Sequence, residues 1–154
     1  MKDDQGFIHI ELGPSTKLYA LPGSRVEVRL IYKEIFSQDC YFRHGIQLEE
    51  GDTVVDVGAN IGIFASKVLG SKPSVRYFGL EPVPRVFQCL SKNMERLAKE
   101  SPHKIRILNT GLSNCRKDAE IEFLPSVSSN STLFFNTKWK HRQAAWTTLR
   151  LKEA

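Results

Sequence analysis

Residues 53–62 read Thr-Val-Val-Asp-Val-Gly-Ala-Asn-Ile-Gly (TVVDVGANIG). Thr53, Val54, Val55 and Val57 are β-branched and no charge precedes Asp56, a pattern that predicts a strand buried on both faces of a parallel sheet. Gly58, Ala59, Asn60 and Gly62 then make a tight turn, and a helical run from Ile61 to Leu69 stops at Gly70, a helix C-cap. The unit is strand, turn, helix. Without a side chain, Gly58 can take a backbone conformation closed to other residues and lets a ligand touch the main chain, while Gly62 lets the helix start close against the strand. The spacing argues against a dinucleotide: a pyrophosphate site needs two glycines one residue apart, and here Ala59, Asn60 and Ile61 separate Gly58 from Gly62.

Downstream, Val75 to Leu80 reads as a second strand that closes on Glu81-Pro82. A carboxylate at that end, beside the first strand, can accept hydrogen bonds from both hydroxyls of a ribose, and its interval from Asp56 matches the expected ~20 to 25 residues. Pro84 suits a first helical position, and Val86, Phe87, Leu90, Met94, Leu97 and Ala98 form an apolar stripe that reads as core. Ile105 to Leu108 is a third strand. It ends in Asn109-Thr110-Gly111-Leu112-Ser113, at the sheet edge where an adenine ring would lie. Ala119 to Leu124 alternates as a half-exposed strand, followed by the polar loop Ser126 to Thr132 and by Leu133-Phe134-Phe135. This alternation of strands and helices predicts an α/β fold, a parallel sheet with flanking helices.

Upstream, Phe7 to Glu11 and Lys17 to Leu21 flank the turn signal Gly13-Pro14-Ser15, as in a hairpin at the edge of the fold. Ser24 with Glu27 is a capping-box pattern, and Val26, Leu30, Ile31 and Ile35 recur at helical spacing through Phe36. In the loop DCYFRHGIQLEEGDT that follows, Tyr41 and His44 are the side chains able to meet a ligand, although exposed loops commonly carry such residues without chemistry.

At 154 residues the chain is one domain by length, and its 41% hydrophobic and 25% charged residues are those of an ordinary soluble protein. No apolar run approaches 18 residues and the N-terminus is too polar for a secretory signal, so the expectation is a soluble cytoplasmic protein with no membrane partner. Cys40, Cys89 and Cys115 are odd in number and far apart, which fits free thiols. The net charge of +5 belongs to the tail: residues 1–137 hold 17 basic and 16 acidic side chains, and residues 138–154 hold five basic against Glu153. Trp139 and Trp146 in that tail allow a nucleic-acid reading, but the near-neutral body argues against it.

Taken together, VVDVGANIGIF, FGLEPVP, the NTGLS turn and the serine-rich SVSSNST resemble the FkbM-type family of S-adenosylmethionine (SAM) dependent methyltransferases, over about Tyr41 to Phe135. The resemblance implies a Rossmann-like class I methyltransferase fold and O-methylation of a small molecule or sugar, with SAM as cofactor. It places Gly58, Ala59, Asn60 and Gly62 in the first SAM motif, Glu81 at the ribose, and Gly111 with Leu112 beside the adenine. Asp56 would order the turn. It divides the chain into an N-terminal hairpin and helix (1–40), a partial SAM-binding core (41–135) and a basic tail (136–154). The family's next strand and acceptor pocket have no counterpart after Asn136, so the expectation is the cofactor half of an enzyme, with an open sheet edge available for self-association. The alternatives are a non-catalytic SAM-binding or interaction protein and, behind it, a nucleic-acid methyltransferase. No catalytic base stands out, and His9, His44, His103 and His141 lack metal-ligand spacing.

Overall fold

The computed structural model describes residues 2–14, 16–71, 73–99, 102–115, 118–124, 126, 128 and 147–151. The expectations for Leu133 to Phe135, for most of the serine-rich loop and for Trp139, Trp146 and the basic residues Lys138, Lys140, Arg142 and Lys152 lie outside these.

Strands β3 (Thr53–Val57), β4 (Arg76–Leu80) and β5 (Lys104–Leu108) form a parallel sheet in that spatial order. Val55 stands opposite Phe78, and Phe78 opposite Arg106. Helices α2 (Ile63–Leu69) and α3 (Pro84–Ala98) connect the strands, giving a Rossmann-like α/β architecture. Both pack against one face of the sheet. Ala65, Val68 and Leu69 of α2, Leu90 and Met94 of α3, and Val75 and Tyr77 form a buried cluster, with Val54, Ile105 and Ile107 against it.

The expectation that β3 is buried on both faces is corrected. Val55 is 59% exposed and Val57 is 52% exposed, because the apolar run meets helices on the Val54 side alone and no described residue covers the other. Strand β3 is also an edge strand among the described residues, with β4 its one partner.

Strands β1 (Ile8–Glu11) and β2 (Lys17–Ala20) pair antiparallel as the sequence suggests, but the hairpin is not peripheral. Phe7, Ile8, Ile10, Leu12, Leu18, Ala20 and Leu21 are buried in a second core, shared with Val28 and Ile35, with Ile61 and Ile63, and with Val83, Val86 and Cys89. Asn93 of α3 fixes the hairpin to the rest. Its Oδ1 accepts from the Tyr19 N–H (2.7 Å), and its Nδ2 donates to the carbonyls of Tyr19 (2.9 Å) and Ile61 (2.8 Å).

Helix α1 (Arg25–Tyr32) runs on into a π-helical turn, Lys33–Ser37. The capping box does not form: the Ser24 hydroxyl donates to the Leu21 carbonyl, and Glu27 turns away to Ser128. The expected stripe holds only in part: Ile35 is buried and Ile31 packs on the core, but Val26 and Leu30 are exposed, and Val28 is buried in their place. Strand β6 (Ala119–Phe123) buries Ile121 and Phe123 against the hairpin core. It pairs antiparallel with β7 (Thr147–Leu151), a strand inside the segment that the sequence presents as a tail without one. Apolar and polar residues alternate along Thr148-Leu149-Arg150-Leu151, a period-2 pattern too short to stand out from its basic surroundings.

Candidate functional site

The glycine turn is closed by its own hydrogen bonds. The N–H groups of Gly58 and Ala59 both donate to the Leu80 carbonyl (2.9 Å each), that of Gly62 to the Ala59 carbonyl (2.9 Å), and that of Ile61 to Asn60 Oδ1 (2.8 Å). The Asn60 N–H donates to Glu81 Oε2 (2.9 Å). All five backbone donors of residues 58–62 are therefore satisfied within the protein. A phosphate, which needs several converging N–H groups, finds none to spare here.

Three turn residues have positive φ: Gly58 at 79°, Asn60 at 50° and Gly62 at 90°. Asn tolerates this region better than other non-glycine residues, which is the local reason for its place. The left-handed Gly62 also delays α2, which starts at Ile63 rather than Ile61. The two glycines differ in surroundings. A Cβ on Gly62 would stand 2.7 Å from Met94 Cε and 2.9 Å from Leu90 Cδ1, so the close approach is to α3 rather than to the strand. A Cβ on Gly58 would meet nothing within 4 Å. Ala59 is buried beneath the turn.

Asp56 accepts a hydrogen bond from the hydroxyl of Tyr77 (2.5 Å), a fully buried residue of the neighbouring strand. Gly79 makes this reach possible, since a Cβ there would stand 3.0 Å from the Tyr77 ring. Burial holds the Asp56 carboxyl above the usual carboxylate range, against the opposing effect of the Tyr77 hydrogen bond. The phenol is raised by burial and by Asp56.

Glu81 closes the opposite side of the turn. It is buried, with Oε1 accepting from the Val83 N–H (2.8 Å) and Oε2 from Asn60. Burial holds its carboxyl above the usual carboxylate range, against the opposing effect of those two backbone donors. Each carboxylate oxygen keeps a second lone pair for another donor. The β5 loop is riveted alongside: Asn109 Nδ2 donates to the Glu81 (2.8 Å) and Pro82 (3.2 Å) carbonyls. That places Gly111 beside Pro82, where a Cβ on the glycine would stand 3.6 Å from Pro82 Cβ, and Leu112 is 68% exposed next to it. Asp56, Gly58, Ala59, Asn60, Gly62, Glu81, Gly111 and Leu112 thus gather at the C-terminal ends of β3, β4 and β5, where open α/β sheets bind ligands.

Several neighbours lie outside the glycine turn and the strand ends. Tyr41 packs its ring on Phe64 (centroids 4.6 Å apart) in the first turn of α2, and burial followed by Cys40 and Asp56 raises its phenol. His44 is exposed, with φ 61°. Glu27 and Ser128 reach the turn from α1 and from the serine-rich segment. Tyr41 and His44 stand out in the sequence as loop side chains able to meet a ligand, whereas the places of Tyr77, Glu27 and Ser128 depend on tertiary contacts.

A cleft of about 510 Å³ opens elsewhere, near the N-terminal ends of β3 and β4, lined by Asp39, Phe42, Ile46, Leu48, Lys67 and Pro73. Its Lys67 is already committed to the Ile35 carbonyl and the Asp39 carboxylate. Among the described residues no three His, Cys, Asp or Glu side chains converge as metal ligands, and no helix is long and apolar enough to cross a membrane.

Searched against protein-family models, the chain matches none. It is 44% identical over 70 residues to 31-O-demethyl-FK506 methyltransferase FkbM of Streptomyces tacrolimicus, covering 46% of this chain and 27% of that protein. It is 32% identical over 110 residues to methyltransferase sdnD of Sordaria araneosa, covering 71% and 41%. With methyltransferase 1 of Beauveria bassiana it shares 30% identity over 129 residues, covering 84% and 50%. The chain spans half or less of the length of each of these relatives. By sequence it is a homologue of proteins named as methyltransferases.

Proposed function

We propose that the chain binds S-adenosylmethionine across the Gly58–Gly62 turn and Glu81, and serves an O-methyltransferase of small molecules or sugars. The observation that carries this reading is the turn itself: its backbone donors are spent internally, its Gly58 Cβ position is open, and a buried carboxylate stands at its far side. Such a site suits a nucleoside with a ribose diol and no phosphate. When bound, SAM supplies an electrophilic methyl group on a sulfonium that is already a good leaving group.

The protein's part is then mostly placement. Glu81 offers its remaining lone pairs to the ribose hydroxyls, the bare face of Gly58 leaves room for the ligand against the main chain, and Gly111 and Leu112 border the place for an adenine ring. Asp56 orders the turn through Tyr77 rather than facing the ligand. The relatives' names support a methyl donor and a transferase. Calorimetric titration with S-adenosylhomocysteine (SAH), the demethylated product, tests the reading. We expect one site per chain and no binding of NADH; binding of NADH without SAH overturns it.

A further inference from the structure

With every backbone N–H of residues 58–62 committed, the donor that remains on the turn belongs to a side chain. Asn60 Oδ1 accepts twice, from the Ile61 N–H (2.8 Å) and from the Ser128 hydroxyl (3.0 Å). Its Nδ2 has no hydrogen-bond partner among the described residues. The backbone N–H of Ile61 is an unambiguous donor, which fixes the oxygen end of this amide and therefore the nitrogen end too.

Ser128 is fixed in turn. Its N–H donates to Glu27 Oε2 (3.0 Å), a bond spanning 101 residues of sequence, and both Ser128 and Glu27 are buried. A hydroxyl has one proton. With Asn60 Oδ1 at 3.0 Å and Glu27 Oε2 at 3.4 Å, that proton goes to Asn60 while the carboxylate takes the backbone N–H. The chain of bonds runs from Glu27 through Ser128 to the oxygen of Asn60, and leaves the amide NH2 as the end of that side chain not engaged by it.

We propose that Glu27 and Ser128 are positioning residues that hold the Asn60 amide with Nδ2 toward the bound methyl donor, where it donates to an oxygen acceptor on that ligand. The inference rests on the cofactor reading above. The acceptor is a ribose hydroxyl or the carboxylate of the amino-acid tail, oxygens that share the chemistry an amide N–H recognises. The device also explains two departures from local sequence rules: Glu27 abandons the capping box, and Asn60 takes a positive φ that turns its side chain toward Ser128.

The test compares wild type with Asn60→Asp, Ser128→Ala, Ser128→Thr and the Asn60→Asp/Ser128→Ala pair, titrated with SAH and with methylthioadenosine, which lacks the amino-acid tail. Asp tolerates the left-handed backbone and keeps both acceptor roles, but it cannot donate. Asn60→Asp should weaken SAH about tenfold or more, and Ser128→Ala about three- to tenfold, the loss of one ligand hydrogen bond in whole or part. Ser128→Thr should restore affinity. The double variant should bind no worse than Asn60→Asp alone, because Ser128 acts through Asn60.

Loss confined to SAH assigns the acceptor to the tail carboxylate; loss with both ligands assigns it to the ribose. Unchanged SAH binding by Asn60→Asp, or losses that add in the double variant, overturns this inference and leaves the cofactor reading standing. Wild type that binds neither ligand overturns both. Should Ser128→Ala fail to fold, Asn60→Asp alone decides.

Discussion

Gly58 and Gly62 share a left-handed backbone, yet a side chain at each would have a different fate. Gly62→Ala adds a Cβ at 2.7 Å from Met94 and 2.9 Å from Leu90 on top of its backbone strain. We expect it to destabilise the fold by about 2 to 5 kcal/mol, measured by urea unfolding. Gly58→Ala carries the strain alone, about 1 to 2 kcal/mol, while its methyl occupies the space assigned to the ligand and lowers SAH affinity. Equal losses of stability would show that the two glycines are not distinguished by packing. Asp56 supplies a pH test. Because burial raises its folded pKa, its contribution to stability is full below the ordinary carboxylate value near 3.8 and is lost as pH rises through the folded value. Asp56→Asn keeps an acceptor for Tyr77 and does not titrate. Its thermal midpoint should therefore gain on wild type between pH 4 and pH 7; a relative fall over that range would mean the carboxylate is preferred in the charged form.

At the scale of elements, Asn93 joins α3 to both the hairpin and the glycine turn with three hydrogen bonds, and it is fully buried. Asn93→Leu would leave the Tyr19 N–H and the Tyr19 and Ile61 carbonyls without these partners, at about 2 to 4 kcal/mol, with SAH affinity falling because Ile61 lies in the turn. A loss below about 1 kcal/mol would show that water replaces the amide. This residue illustrates where sequence reading stops. The strand-turn-helix unit around Gly58 and the strands ending at Glu81 and Leu108 are legible because glycine spacing, β-branched runs and prolines act locally. Asn93 reads as a polar interruption of an apolar stripe, since nothing local reveals a hairpin 74 residues away. Ser24 and Glu27 fit a capping box by spacing, but Ser128 offered Glu27 a buried partner and tertiary contact outweighed local propensity. The exposure of Val55 and Val57 was hidden for a related reason: an apolar run states what a strand can bury, not which neighbours arrive to cover it.

For the whole molecule, the sheet face away from α2 and α3 presents Val55, Val57 and Leu108 to solvent, with Phe78 and Leu80 half-buried between them. Beside it, β3 has no partner on its outer edge among the described residues. Exposed apolar surface next to unpaired strand edges favours association. Sedimentation should show an apparent mass that rises with concentration, and Val55→Glu should suppress the rise while changing stability by about 0.5 kcal/mol or less. A constant monomer mass would mean that this face is covered in solution. The central claim, that residues 58–62 with Glu81 hold the methyl donor, is tested most directly by following backbone amide resonances during titration with SAH. The account predicts saturable shifts at Gly58, Asn60 and Gly111, with Ile46 and Leu48 of the other cleft unmoved. Shifts centred on that cleft while Gly58 and Asn60 stay in place would contradict it.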